Sequence, residues 1–368
     1  ALLLGGFAAL WLLPLVAAPP RARASNSRRA FLQSAGVTAG AVLLSANAVL
    51  AGALVRLARG GRSEGEPLFA WSPPAARVPG FDLPGLPAEV TPVPAFYTMS
   101  KNVVDPRLDM GGWSLRVHGL VREPFSLSYT DLLSLPRHDL YVTLRCISNR
   151  VDGTLMSTAL FSGVLLRDLL ERAGLDPAAQ TAVFRAPDGH ADSVDLGRAL
   201  AQSTLIAYAL NGRTLTRAHG FPARLLVPGL YGFKHVKWLT DVEMQAGEFT
   251  GHWQELGWTR SARVKTVARI DTLARDAHGW RAAGVAFSGD RGISAVELRV
   301  DEGAWQPATL NAPSLSALTW VQWRAFVPAG ARTVSVRALD AAGRAQEESE
   351  RAQFPDGAQG LHRRTLSR

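Results

Sequence analysis

Leu144-Arg145-Cys146-Ile147-Ser148-Asn149-Arg150 holds the single cysteine of a 368-residue chain. It includes the end of Tyr141-Val142-Thr143-Leu144, a β-branched and aromatic run that reads as a strand. A lone thiol cannot close an internal disulfide, so its chemistry is open. Cys146 is either a buried small apolar residue or a thiolate favoured by the flanking Arg145 and Arg150. A thiol hydrolase needs a histidine base, and the spacing of the eight histidines singles out none. A zinc cage needs about four protein ligands, so a lone thiolate better suits a metal held mainly by a cofactor.

Seventy residues further on stands His219-Gly220-Phe221-Pro222-Ala223-Arg224, which leads through Val227-Pro228-Gly229 to Gly232-Phe233-Lys234-His235-Val236-Lys237-Trp238. Glycines let a backbone approach a ligand, and Arg and Lys make charge-assisted hydrogen bonds to phosphate. Neither a P-loop nor a Rossmann fingerprint is present. Taken alone, the stretch reads equally as a solvated basic loop or as an anion site. Lysine occurs only at 101, 234, 237 and 265 against 36 arginines, so two of the four lysines fall here.

Around these motifs, Trp113–Gly119, Leu225–Pro228 and Val236–Met244 read as strands, and Leu165–Arg172 reads as a short amphipathic helix. Strands and short helices mix without βαβ spacing, which predicts an α+β domain over 95–262. From 263 to 368 the pattern is strands alone, at 281–287, 293–300, 320–326 and 333–339, separated by Gly/Asp turns. That spacing predicts an immunoglobulin-like β-sandwich without its disulfide.

A net charge of +9 invites a nucleic-acid reading. Seven arginines and no acid lie in residues 1–63, and removing them leaves +2 for the other 305 residues. Without basic stripes interleaved with aromatics, no nucleic-acid partner is expected. The apolar run from Ala1 to Pro20 and the uncharged run Ala30–Val55 are each expected to span a membrane, residues 1–59 forming transmembrane helices. The chain opens within an apolar run, so further sequence is expected upstream. Ser27-Arg28-Arg29-Ala30-Phe31-Leu32 between the runs resembles a twin-arginine export signal; an ordinary hairpin with a basic cytoplasmic loop is the other reading. Both place everything after Val55 outside the cytoplasm, on a cell-membrane anchor. Residues 60–94 are rich in Gly, Pro and Ala and read as a linker and extended arm.

Taken in order, these segments resemble the sulfite oxidase family of molybdopterin enzymes, in its bacterial exported branch, from about Phe96 to the C-terminus. Phe96-Tyr97-x-x-x-Lys101-Asn102 with Pro106, Arg145-Cys146-x-x-Asn149-Arg150, Ala207-Tyr208-x-x-Asn211-Gly212 and the 219–238 stretch carry the resemblance. It implies a molybdenum–molybdopterin cofactor with Cys146 as metal ligand. It assigns Tyr97, Asn149, His219, Arg224, Gly232, Lys234 and Lys237 to the pterin and its phosphate. Lys101, Asn102 and Arg150 are implied beside the metal and the incoming substrate. The reaction implied is two-electron oxygen-atom transfer, and the tail resembles the family's dimerisation domain, which implies a homodimer.

The sequence departs from the sulfite-oxidising pattern at three places. Lys101 stands where an arginine is usual, and lysine lacks the bidentate fork. Val151 follows Arg150 in place of a second arginine, and Trp258 stands near a pocket tyrosine. The substrate expected is therefore a small oxyanion or a sulfoxide, with sulfite one candidate. The chain has no Cys-x-x-Cys-His and no histidine before His118, so electrons are expected to pass to a separate carrier or to something upstream. The reading from a different class is an exported binding or scaffold module with Cys146 simply buried.

Overall fold

Alternating burial sets the first strands: Leu115 and Val117 of β1 (Ser114–Gly119) and Leu127 of β2 (Phe125–Ser128) point inward while their neighbours face out. The computed structural model describes residues 63–75 and 78–366. The expected membrane spans and the Arg28-Arg29 motif lie outside the described residues. Among the described residues no helix is long and apolar enough to cross a membrane.

The first half continues with β3 (His138–Arg145), β4 (Met156–Leu165), β5 (Thr181–Arg185), β6 (Ala191–Asp195), β7 (Leu205–Leu210), β8 (Arg213–Thr214), β9 (Arg224–Leu226) and β10 (Asp241–Gln245). They form two five-stranded sheets, one ordered β2-β1-β10-β5-β6 and the other β3-β4-β7-β8 with β9 also on β7. β1 pairs parallel to β10, with Arg116 opposite Asp241. Helix Leu166–Ala173 buries Leu166, Leu169, Leu170 and Ala173, one face at helical spacing. Gly174, with φ at 66°, ends it in the left-handed region that glycine adopts without a Cβ penalty. No helix among the described residues exceeds eight residues, so the α+β mixture expected from sequence is dominated by strands. The strand expected over 236–244 is regular only from Asp241; Val236–Thr240 is irregular, with Trp238 at φ 53°.

The second half consists of β11 (Val267–Arg275), β12 (Gly279–Phe287), β13 (Ile293–Val300), β14 (Trp305–Pro307), β15 (Thr309–Leu310), β16 (Val321–Pro328), β17 (Thr333–Asp340) and β18 (His362–Thr365). Two four-stranded sheets, β11-β12-β16-β15 and β14-β13-β17-β18, share one core built on Ile270, Val296, Leu298, Trp323, Val334 and Val336. All four strands expected in this region are present.

The halves meet through Ile147, Met156 and Tyr231 on one side and Val267, Val285, Phe287 and Trp320 on the other. Arg145 Nη1 donates to the Lys265 carbonyl at 3.1 Å across this seam, so the end of β3 is held from behind. The arm expected to be a linker is tied down. Leu68 N donates to Gly212 O at 2.8 Å, and the Trp320 indole donates to Glu89 O at 2.9 Å. Asn211 and Gly212, at φ 48° and 75°, form the tight turn between β7 and β8, and a Cβ on Gly212 would lie 2.7 Å from Trp71 Cβ.

Candidate active site: a cationic cleft around Cys146

Cys146 follows directly on β3 and faces a cleft whose deep walls come from Phe96–Lys101, Ala218–Arg224 and Gly232–Trp238. Its backbone donates to Leu155 O at 3.0 Å, and its carbonyl accepts from Asn149 N at 3.1 Å. Asn149 Oδ1 in turn accepts from Leu155 N at 3.1 Å, stapling the loop that presents the sulfur. Burial pushes the thiol pKa up, against the opposing hydrogen bonds of Ser148 and the charge of Arg145. A thiolate here therefore needs a cation beside it. Across from Cys146, a Cβ on Gly232 would stand 3.1 Å from the Tyr97 hydroxyl and 3.4 Å from Arg145 O. Glycine at 232 thus keeps this wall low against the floor of the cleft.

The cations cluster at the deep end. Arg224 is buried, donating through Nη1 to His219 O and through Nη2 to His235 O, each at 3.2 Å. Its Nε has no partner among the described residues. Lys237 donates to Met99 O at 3.1 Å and Ala218 O at 3.0 Å, so its ammonium is aimed by carbonyls and not matched by a contacting carboxylate. Burial, then Arg224, lowers the Lys237 pKa to about 8. Burial, then Arg224 and Lys237, lowers His219 to about 4, so that ring is neutral near pH 7. His235 is a support: Nδ1 accepts from Val227 N and Nε2 donates to Leu230 O, both at 3.1 Å.

At the mouth, Lys101 Nζ donates to the Asp188 carbonyl at 2.8 Å, and Asn102 Nδ2 donates to Asp188 Oδ2 at 2.9 Å. Trp253 and Trp258 add apolar wall. The structure thus brings Tyr97, Lys101, Cys146, His219, Arg224, Gly232 and Lys237 to one cleft, with Asn102 beside Lys101.

Three expected site residues lie elsewhere. Arg150 turns out to solvent in a bidentate pair with Asp152, both contacts 3.0 Å, because the loop stapled by Asn149 carries it past the cleft. Asn149 itself is a loop support and does not line the cleft. Lys234 points to the opposite side of its turn, where its ammonium pairs with buried Asp192 at 2.6 Å. Asp188, His190 and Trp253 line the cleft and were not anticipated. Asp188-Gly189 is a hairpin-tip signal between β5 and β6, and it was the available clue to the first two.

The donor set fits the cofactor implied above. Among the described residues the cleft lining has one carboxylate, Asp188, already engaged by Asn102, while buried Arg224 has no acidic partner and Lys237 feels Asp105 and Asp188 without touching either. Buried cations without counter-charge are costly, and a phosphate-bearing dithiolene ligand would supply that charge beside a sulfur able to bind its metal.

The fold and cleft together define a molybdopterin-binding oxidoreductase domain, and the oxidoreductase molybdopterin binding domain family matches residues 102–253. Mitochondrial sulfite oxidase of Homo sapiens is 32% identical over 300 residues, covering 67% of this chain and 55% of that protein. Sulfite oxidase of Gallus gallus is 30% identical over 315 residues, covering 71% of this chain and 68% of that protein. The chain belongs to the sulfite oxidase family of molybdopterin oxidoreductases, and membership implies a molybdenum–molybdopterin cofactor. It spans little more than half the length of the human relative. The sulfane dehydrogenase SoxCD from Paracoccus pantotrophus shares the fold, with a TM-score of 0.64 and 21% identity over 71% of this chain and 75% of that one.

Proposed function

We propose that this chain catalyses two-electron oxygen-atom transfer on a small oxyanion or sulfoxide, with sulfite oxidation one candidate. The observation that carries the reading is Cys146 in one cleft with buried Arg224, which has no acidic partner, and Lys237, which no carboxylate contacts. The bound cofactor would supply the redox change and the transferable oxygen. Cys146 would ligate its metal. Arg224, Lys237 and His219 would hold the pterin and its phosphate, with Tyr97 packed against Gly232 beneath. Lys101 and Asn102, fixed by Asp188, would position the substrate at the mouth.

A neutral sulfoxide is favoured over an oxyanion by three features around the mouth. Arg150 is turned away to Asp152, the Lys101 charge is shared with Asp188 at 3.6 Å, and two tryptophans complete the wall. Assaying the loaded protein with sulfite plus an electron acceptor, and with a sulfoxide plus a donor, separates the two. Turnover in neither direction would defeat the proposal.

Ser27-Arg28-Arg29 ahead of the uncharged Ala30–Val55 run supports export with an N-terminal membrane anchor and the cleft on the extracytoplasmic side. Replacing both arginines by lysine should then leave the protein in the cytoplasm. The two facing four-stranded sheets support an immunoglobulin-like tail that pairs two copies. Electrons would pass to a separate carrier or to a segment upstream of Ala1.

A further inference from the structure

Behind the cleft lies a second cavity of about 340 Å³, polar and large enough for several ordered waters. A partition of neighbouring residues separates the two. On the turn Gly232–Lys234, Phe233 lines the cleft and Lys234 the second cavity; on helix His252–Glu255, Trp253 lines the cleft and Gln254 the second cavity. His190, at the start of β6, completes the cleft side.

Within this partition, His190 Nδ1, Asp192 Oδ2 and both amide atoms of Gln254 are buried with no hydrogen-bond partner among the described residues. His190 Nε2 faces the Phe233 carbonyl at 3.1 Å, which can only accept, so Nδ1 of the neutral ring is left as an acceptor. Lys234 holds the other oxygen of Asp192 at 2.6 Å, which fixes where Oδ2 points. A Cβ on Gly251 would lie 2.5 Å from Gln254 Oε1 and 3.0 Å from Asp192 Cγ, so amide and carboxylate crowd one point. Buried polar atoms left unmatched by protein are matched by ordered water. The outer rim, at Glu248 and Arg260, has side chains 87% and 57% exposed and opens to solvent.

We propose that ordered water joins His190, Asp192 and Gln254 into a path that carries protons between the cleft and solvent through the second cavity. The proposal rests on the oxidoreductase reading above. Oxidising a substrate X with the oxygen of water gives XO, two protons and two electrons. The electrons pass to two equivalents of a one-electron acceptor and the path removes the protons; reducing a sulfoxide to sulfide and water takes two electrons from a donor and two protons inward by the same path. His190 and Asp192 take up and release the proton, Gln254 orients the water between them through its amide, and Lys234 positions Asp192.

The test uses the full chain with cofactor bound, assayed with sulfite and ferricyanide. Gln254→Leu should lower kcat by several-fold up to about 100-fold, enlarge the solvent deuterium isotope effect on kcat, and leave KM and cofactor content unchanged. Gln254→Glu, which keeps the polar contact, should restore most of the rate. Wild-type kcat and isotope effect in Gln254→Leu would overturn the path. A crystal structure of the wild-type protein tests it without turnover: water bridging Asp192 Oδ2 and the Gln254 amide supports it, and a dry partition with those atoms matched by protein overturns it. Bridging water together with no turnover on sulfite would support the path and count against the substrate.

Discussion

Lys101 stands 3.6 Å from the carboxylate of Asp188 and donates to the same residue's carbonyl at 2.8 Å. The cation nearest the mouth is thus both held and partly neutralised by one residue. Asp188→Asn removes the charge and one of the two side-chain acceptors, while the backbone carbonyl that holds Lys101 is kept. It should strengthen binding of a small oxyanion by about 3- to 10-fold, roughly 1 kcal/mol, and leave a neutral sulfoxide unchanged. Inhibition constants for sulfate and a dialkyl sulfoxide check this, and weaker binding of both would contradict it.

Cys146→Ser should keep the pterin and lose turnover. A serine hydroxyl is a poor soft-metal ligand, while the pterin contacts proposed for Arg224, Lys237 and His219 are untouched. Pterin fluorescence after denaturation, set beside the rate, provides the comparison. Wild-type turnover in this variant would remove the ligand role.

Lys237→Ala should lower cofactor occupancy by about tenfold or more at limiting cofactor, since a charge-assisted contact contributes roughly 1.5–3 kcal/mol. Its protonation also bears on the cofactor-free protein. With a folded pKa near 8 against an ordinary 10.5, the buried cation costs stability below pH 8, and that cost is relieved as the pH rises toward 10.5. Lys237→Met should therefore melt at a higher temperature than wild type at pH 7 without cofactor. A lower melting temperature would contradict it.

Acid should destabilise the protein through its buried histidines. Burial lowers His219 to about 4, His235 to about 3 and His362 to about 4, each from 6.5. Between 6.5 and those values the unfolded chain binds protons the folded chain refuses, so stability falls as the pH falls. At pH 5 each contributes a loss of up to about 2 kcal/mol. Urea titrations at pH 7 and pH 5 read the slope, and His362→Gln should flatten it. An unchanged slope would show that His362 does not titrate this way.

Strand β13 was legible because it buries one face, through Val296 and Leu298, and so alternates. β4 was not legible: all ten of its residues are buried, and a strand covered on both faces loses the period-two signal. Gly232 and Lys237 both line the cleft, but their glycine- and lysine-bearing stretch alone read equally as a solvated loop, and it was the resemblance that joined it to Cys146. Lys234 and Arg150, assigned by the resemblance, face away from the cleft, because a motif fixes that a cation is present but not which side of a turn it faces. Asp192, buried on β6, supplies the counter-charge that draws Lys234 away. Asp188 and His190 came from a hairpin distant in sequence, joined to the cleft only by the sheet.

The most direct measurement is molybdenum per chain in protein made by a cofactor-competent host, for the wild type and for Cys146→Ala. The account predicts about one molybdenum per wild-type chain and loss of the sulfur–molybdenum absorption band in the variant, with unchanged folding. Molybdenum far below one per wild-type chain, or a spectrum indifferent to Cys146, would contradict it.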